Sequence, residues 1–218
     1  MEPMTSRKDR KYSPWLFALG GLAIATTVIV ICSWYLGLLT DNFRVVTRRK
    51  LYRSGQMSQR ELRRTVSTYG IRTIINLQGA SSEPWYSGEL KTADALGVKH
   101  LDIGLCPSRL PPPDKAADLV RAFTQGEYPM LIHCYAGSDR TGLACAIYEM
   151  IVTHDPLNEA LKEQLTWRCG HFAIGKVRAM DDFFELYRQT AGSKNLARWI
   201  VEDYPSHYIE RRPAKAGE

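Results

Sequence analysis

The sequence predicts an α/β fold, a central sheet flanked by helices, preceded by one transmembrane helix. Three observations carry this. Short β-branched or apolar runs at Ile71–Leu77, Val98–Leu105 and Tyr128–Cys134 alternate with stretches of helical period, the pattern of strands joined by helices. Helical stretches dominate after the last of these runs. The chain also carries no charge from Trp15 to Leu39. As a helix that run is about 37 Å long, enough for a hydrocarbon core of roughly 30 Å.

At the amino end, residues 1–14 form a basic tail with Arg7, Lys8, Arg10 and Lys11. The apolar run 15–39 has Trp15, Trp34 and Tyr35 near its ends, where aromatic rings favour a membrane interface. It is longer than a signal-peptide core, and no small-x-small pattern closes it, so an uncleaved anchor is expected. Basic residues flank both sides, with Arg44, Arg48, Arg49, Lys50 and Arg53 following. A short basic tail rarely crosses a membrane, so the expected orientation is N-inside. In a bacterium this makes a single-pass inner-membrane protein with its main domain in the periplasm. Residues 40–50 read as a basic connector, 51–204 as the domain and 205–218 as a flexible tail.

Within the domain, Ser58 with Glu61 three positions later marks a helix start of capping-box type. Ile71–Leu77 is a strand after Gly70. A loop with Gly79 and Pro84 leads to a helix ending near Gly97, and Val98–Leu105 is the next strand. Pro111–Asp114 ends a loop and opens a helix through Phe123, with Asp114 as its N-cap. Tyr128–Cys134 is the last strand. Helices are expected near 141–153, 157–168 and 176–190.

The chemistry is concentrated after that strand, in His133-Cys134-Tyr135-Ala136-Gly137-Ser138-Asp139-Arg140-Thr141-Gly142. A strand, a loop and a helix start aim backbone N–H groups and the positive helix end at one point. Such a nest binds an oxyanion and favours a thiolate at its centre. Arg140 offers a bidentate fork for two phosphate oxygens. Gly137 permits close backbone approach, and the Thr141 hydroxyl can donate to sulfur.

These residues resemble the signature of the cysteine-dependent phosphatases, the protein tyrosine and dual-specificity superfamily: His-Cys, five residues, Arg, then Ser or Thr. The resemblance runs more loosely from about Leu51 to Gln189. It implies a dual-specificity-phosphatase-like fold and a phosphate-binding loop of Cys134, Tyr135, Ala136, Gly137, Ser138, Asp139 and Arg140. It also implies a two-step reaction in which Cys134 becomes a phosphocysteine that water hydrolyses. The loop that normally carries the family's acid, here Cys106–Pro111, has no carboxylate. Asp139 is the favoured acid, because Cys-x-x-Gly-x-Asp-Arg-Thr resembles the loop of myotubularin-like lipid phosphatases and of bacterial tyrosine/phosphoinositide phosphatases. Its rival role is to bond loop amides or pair with a cation. Asp102 is the alternative acid and Asp114 a third candidate. His133 is expected to orient the loop. His171 either lines the pocket or serves a helix end, and Glu83, Trp85 and Tyr86 either touch substrate or pack.

The formal net charge of +6 suits an anionic partner. Basic residues at 44–53 and at Arg60, Arg63 and Arg64 point to a membrane surface, and no nucleic-acid-binding motif is present. The five cysteines show no disulfide framework or metal spacing, and the five histidines are scattered, so neither metal nor cofactor is expected. The expected substrate is a phosphomonoester, first a lipid phosphate and second a phosphoprotein. The competing readings are a rhodanese-like sulfur transferase and a catalytically silent phosphate-binding module. Oligomeric state is not legible.

Overall fold

The computed structural model describes residues 14–39 and 41–208. Helix α1 spans Pro14–Leu39. Strands β1 (Arg44–Thr47) and β2 (Leu51–Ser54) pair antiparallel. Helix α2 (Gln59–Tyr69) starts on the expected capping box: Ser58 Oγ accepts from Glu61 N, and the Glu61 carboxylate accepts from Ser58 N. It stops at Gly70, whose φ of 64° only glycine adopts freely. Then follow β3 (Thr73–Asn76), α3 (Pro84–Ala95), β4 (Lys99–Asp102), α4 (Pro113–Gln125), β5 (Met130–His133) and α5 (Asp139–Tyr148). Helix α5 runs into a π-turn, Glu149–Thr153, before α6 (Leu157–Gln164). Two 3-10 turns, Trp167–Cys169 and Gly175–Arg178, lead to α7 (Ala179–Thr190), α8 (Leu196–Glu202) and α9 (Tyr204–His207).

The strand order is β1-β2-β5-β3-β4, and the three pairings from β2 to β4 are parallel. Parallel strands need crossovers and are covered on both faces. One face packs Tyr52, Ile74 and Leu131 against Leu62 and Val66 of α2 and Ala93 of α3. The other packs Leu51, Ile75 and Ile132 against α4, α5 and the carboxyl-terminal helices, where Phe183, Trp199 and Tyr204 stack edge to face. Because β5 lies in the middle, Cys134 emerges at the carboxyl edge with neighbouring strand ends on both sides, where ligands of such sheets bind.

Three expectations are corrected. First, among the described residues no helix is long and apolar enough to cross a membrane, so the transmembrane helix expected over 15–39 is not supported. Helix α1 forms over the expected run, Pro14–Leu39. The single-pass inner-membrane placement with a periplasmic domain falls with the span. Second, Pro112 is the N-cap of α4, and Asp114 lies inside its first turn without a capping bond. Third, the segment read as a connector contributes strand β1, and the boundary expected at 205 falls inside α9. Of the expected tails, 1–13 and 209–218 lie outside the described residues.

Candidate active site

The loop Cys134–Ser138 is shaped from behind. Leu77 N donates to His133 O (2.8 Å), fixing where β5 ends, and Gln56 N donates to Tyr135 O (3.0 Å). Asn42 Nδ2 donates to Ala136 O (3.1 Å), Gly137 O (3.0 Å) and Cys169 O (2.9 Å). Arg53, 1% exposed, donates through Nη2 to Gly137 O (2.7 Å) and Ser138 O (3.3 Å), and through Nη1 to Gln164 O (3.0 Å) and Oε1 (2.6 Å). Loop carbonyls are thereby held on the Asn42 and Arg53 side. Among the described residues, no amide from Tyr135 to Arg140 donates to a protein acceptor. Those donors, at the start of α5, are what an oxyanion requires. Gly137 has φ 68°, and a Cβ there would stand 2.5 Å from Gly55 N, so no side chain fits between the loop and β2.

Cys134 is 3% exposed and sits at the base of this loop. Arg140 Nη1 donates to Leu77 O and Leu105 O, both at 3.4 Å, which spans the guanidinium across the ends of β3 and β4. Its Nε and Nη2 make no protein hydrogen bond. Thr141 Oγ1 is buried and finds no protein partner, so its contact with the Cys134 sulfur is not formed in this state.

The acids are separated by their surroundings. Asp139 Oδ1 accepts from His171 Nδ1 (2.7 Å), and its other oxygen has no protein partner. Asp102 has both oxygens engaged, Oδ1 by Asn76 Nδ2 (2.8 Å) and Oδ2 by the Tyr86 hydroxyl. It also lies at the end of β4, two strands from β5, or about 10 Å across the sheet. Asp114 is exposed beside Lys115. The loop after β4 supplies a thiol where a carboxylate was sought: Cys106 Sγ lies 3.2 Å from Ser108 Oγ. Burial opposes ionisation of Cys106, but the Ser108 hydrogen bonds, with Arg109 and Arg140 nearby, carry its pKa below the usual thiol value.

His133, at the end of β5, has its Nδ1 3.4 Å from Cys134 O. Its Nε2 meets Glu89 Oε1 at 3.0 Å, and His100 Nε2 meets the same oxygen at 2.8 Å. Burial pushes Glu89 up, yet the bonds from His100 and His133 outweigh it and hold the carboxyl at about 2. Tyr86 binds Asp102, Trp85 packs edge-on against Tyr86, and Glu83 merely precedes α3. Sequence reasoning did not find Asn42, Glu89, Gln164 or Asp181, and it took Arg53 for surface charge. A polar residue within an otherwise buried stretch, as Arg53 is in Leu51–Ser54, was the available signal.

The sequence profile of PTP-SAK, described as Swiss Army Knife protein, DSP-PTPase phosphatase domain, matches residues 40–182. No curated protein matches significantly. Among solved structures, TpbA of P. aeruginosa in complex with pTyr superposes with a TM-score of 0.55 at 17% identity, covering 74% of this chain and 88% of that one. Tk-PTP in its active form gives 0.56 at 18%, over 68% and 97%. The core catalytic domain of the PP-IP phosphatase SIW14 from S. cerevisiae, in complex with citrate, gives 0.53 at 18%, over 69% and 91%. At these identities the likeness is one of fold.

Proposed function

Because the chain belongs to the PTP-SAK family of DSP-PTPase phosphatase domains and is therefore a phosphatase, we propose that Cys134 is its nucleophile and Arg140 its transition-state clamp. The Cys134 thiolate forms a bond to phosphorus as the P–O bond to the leaving group breaks, and Asp139 gives that oxygen its proton. Water then attacks the phosphocysteine, the S–P bond breaks, and Asp139 recovers a proton from the water. Charge on the three equatorial oxygens is met by the loop amides and by the free Nε and Nη2 of Arg140. The Thr141 hydroxyl donates to sulfur as it leaves. The observation that carries this reading is the set of loop amides left without protein acceptors around Cys134. Asp139 is preferred to Asp102 because one of its oxygens is free and it begins the helix that closes the loop.

The substrate we propose is a phosphomonoester carried on an apolar body. Tyr135 in the loop is exposed, and so are Phe172 and Ile174 just beyond His171, in a segment that also carries the exposed Lys176 and Arg178. A lipid phosphate is the first reading. A phosphotyrosyl side chain is the second, favoured by TpbA binding pTyr on the same fold. The test is Cys134→Ser assayed beside wild type. Turnover is expected to vanish while vanadate or phosphate binding persists, and residual activity above a few per cent would sink the nucleophile. Phosphatidylglycerophosphate and phosphotyrosyl peptides run in parallel separate the two substrate classes.

A further inference from the structure

His171 joins the phosphate loop to the helical carboxyl-terminal part and has no role in the reaction as described so far. It is 3% exposed, with Nδ1 2.7 Å from Asp139 Oδ1 and Nε2 2.9 Å from Asp181 Oδ2. Both neighbours are carboxylates, so a ring that donates from both nitrogens is an imidazolium. Its backbone is fixed as well: His171 N donates to Thr166 O (3.0 Å), and the preceding Gly170 is pressed so close that a Cβ would stand 2.7 Å from Ser138 Oγ. Asp181 lies in the first turn of α7, where the helix dipole favours a carboxylate. The charged groups facing the ring are Asp139 from α5 and Asp181 from α7. Burial disfavours the cation, but hydrogen bonds and charge from these two raise it to about 9.

We propose that His171, clamped by Asp181, is a positioning residue that fixes the Asp139 carboxyl at the phosphate loop through both proton transfers. This rests on the assignment of Asp139 above and deepens it. One oxygen stays engaged with the imidazolium while the other exchanges the proton. In the first half-reaction, protonated Asp139 gives its proton to the leaving oxygen, and the carboxylate formed is stabilised by the adjacent cation. In the second, a water O–H breaks as its oxygen bonds to phosphorus, the proton goes to Asp139, and the S–P electron pair returns to Cys134. The imidazolium keeps both its protons throughout. Loss of this positioning weighs most on alkyl phosphates, whose leaving oxygen needs the proton.

The experiment measures kcat and KM against pH for an alkyl phosphate and p-nitrophenyl phosphate in the full chain, as wild type, His171→Gln and Asp181→Asn. The alkyl substrate is expected to lose more kcat than p-nitrophenyl phosphate in His171→Gln, because only its leaving oxygen depends on a well-placed acid. Plateau kcat should fall roughly ten-fold through lost positioning while KM changes less. Asp181→Asn should show the same leaving-group dependence to a smaller extent. Equal slowing of both substrates would leave His171 merely structural and overturn the proposal. If Asp139→Asn shows no leaving-group dependence, the acid assignment fails instead. Nitrogen NMR of the wild-type ring covers the case of a variant that does not fold: two ring protons held until about pH 9 are expected, and a neutral ring at pH 7 refutes the proposal.

Discussion

Arg53→Met removes the guanidinium beneath the phosphate loop while keeping an unbranched side chain of similar reach. Four hydrogen bonds disappear. Gly137 O still accepts from Asn42, and Ser138 O still accepts from Gly142 N (2.7 Å). Gln164 O and Oε1 lose the donors that Arg53 gave them. Two buried acceptors left unpaired cost about 1–3 kcal/mol each, partly offset because a cation is no longer buried. A net loss of about 3 kcal/mol follows. With an m-value of about 2 kcal/mol/M, the urea midpoint drops by about 1.5 M. The loop also loses half its rear support, and a displacement of about 1 Å in such a site costs on the order of 100-fold in kcat. Urea titration and turnover of p-nitrophenyl phosphate on the same preparation check both numbers. A midpoint within about 0.3 M of wild type, with kcat intact, would refute the idea that Arg53 shapes the loop.

Gly137→Ala forces a Cβ against Gly55 N at a positive φ and should abolish phosphate binding as well as turnover, as read by vanadate titration. Asp139→Asn should slow alkyl phosphates far more than p-nitrophenyl phosphate, whereas Asp102→Asn should slow both alike; the reverse pattern moves the acid to β4. Stability should fall as pH rises from about 6.5 to 9. The folded-state pKa of His171 is raised to about 9, so its contribution is complete below the unfolded value and lost through that window. Glu149, raised to about 7 by burial against the bonding of Gln164, acts in the same direction from about 4.5 upward. Glu89, held down at about 2, contributes above about 4.5 and is lost as pH falls toward 2. Chemical denaturation across pH reads all three, and His171→Gln should flatten the alkaline side.

The strand, loop and helix around Cys134 were legible because each is written locally: an apolar run, a glycine, a helix of small apolar residues. Strand limits were less so, since β3 keeps only Thr73–Asn76 of the Ile71–Leu77 run once ladder pairing decides the ends. The Ser58–Glu61 cap was readable within four residues. Asn42, Arg53, Glu89 and Asp181 were not, because each meets its partner only after distant segments converge. Arg53 looked like one more surface charge beside Arg44, Arg48, Arg49 and Lys50. Its burial is set by Gln164, more than a hundred positions away. The uncharged run at 15–39 was legible as helix, and the further step to a membrane span is the one the structure does not support.

The rear support of the phosphate loop has a kinetic side. Asn42 reaches partners 94, 95 and 127 positions along the chain, and Arg53 reaches partners 84, 85 and 111 away. Contacts of such separation pay loop-closure entropy before they stabilise anything, so they belong to the slow end of folding. A nascent chain that has emerged only through Thr141 already contains every residue of the signature, yet it lacks Gln164 and Cys169, which complete the anchorage of Arg53 and Asn42. Catalytic competence on refolding should therefore appear with the last cooperative phase, behind the recovery of helical signal.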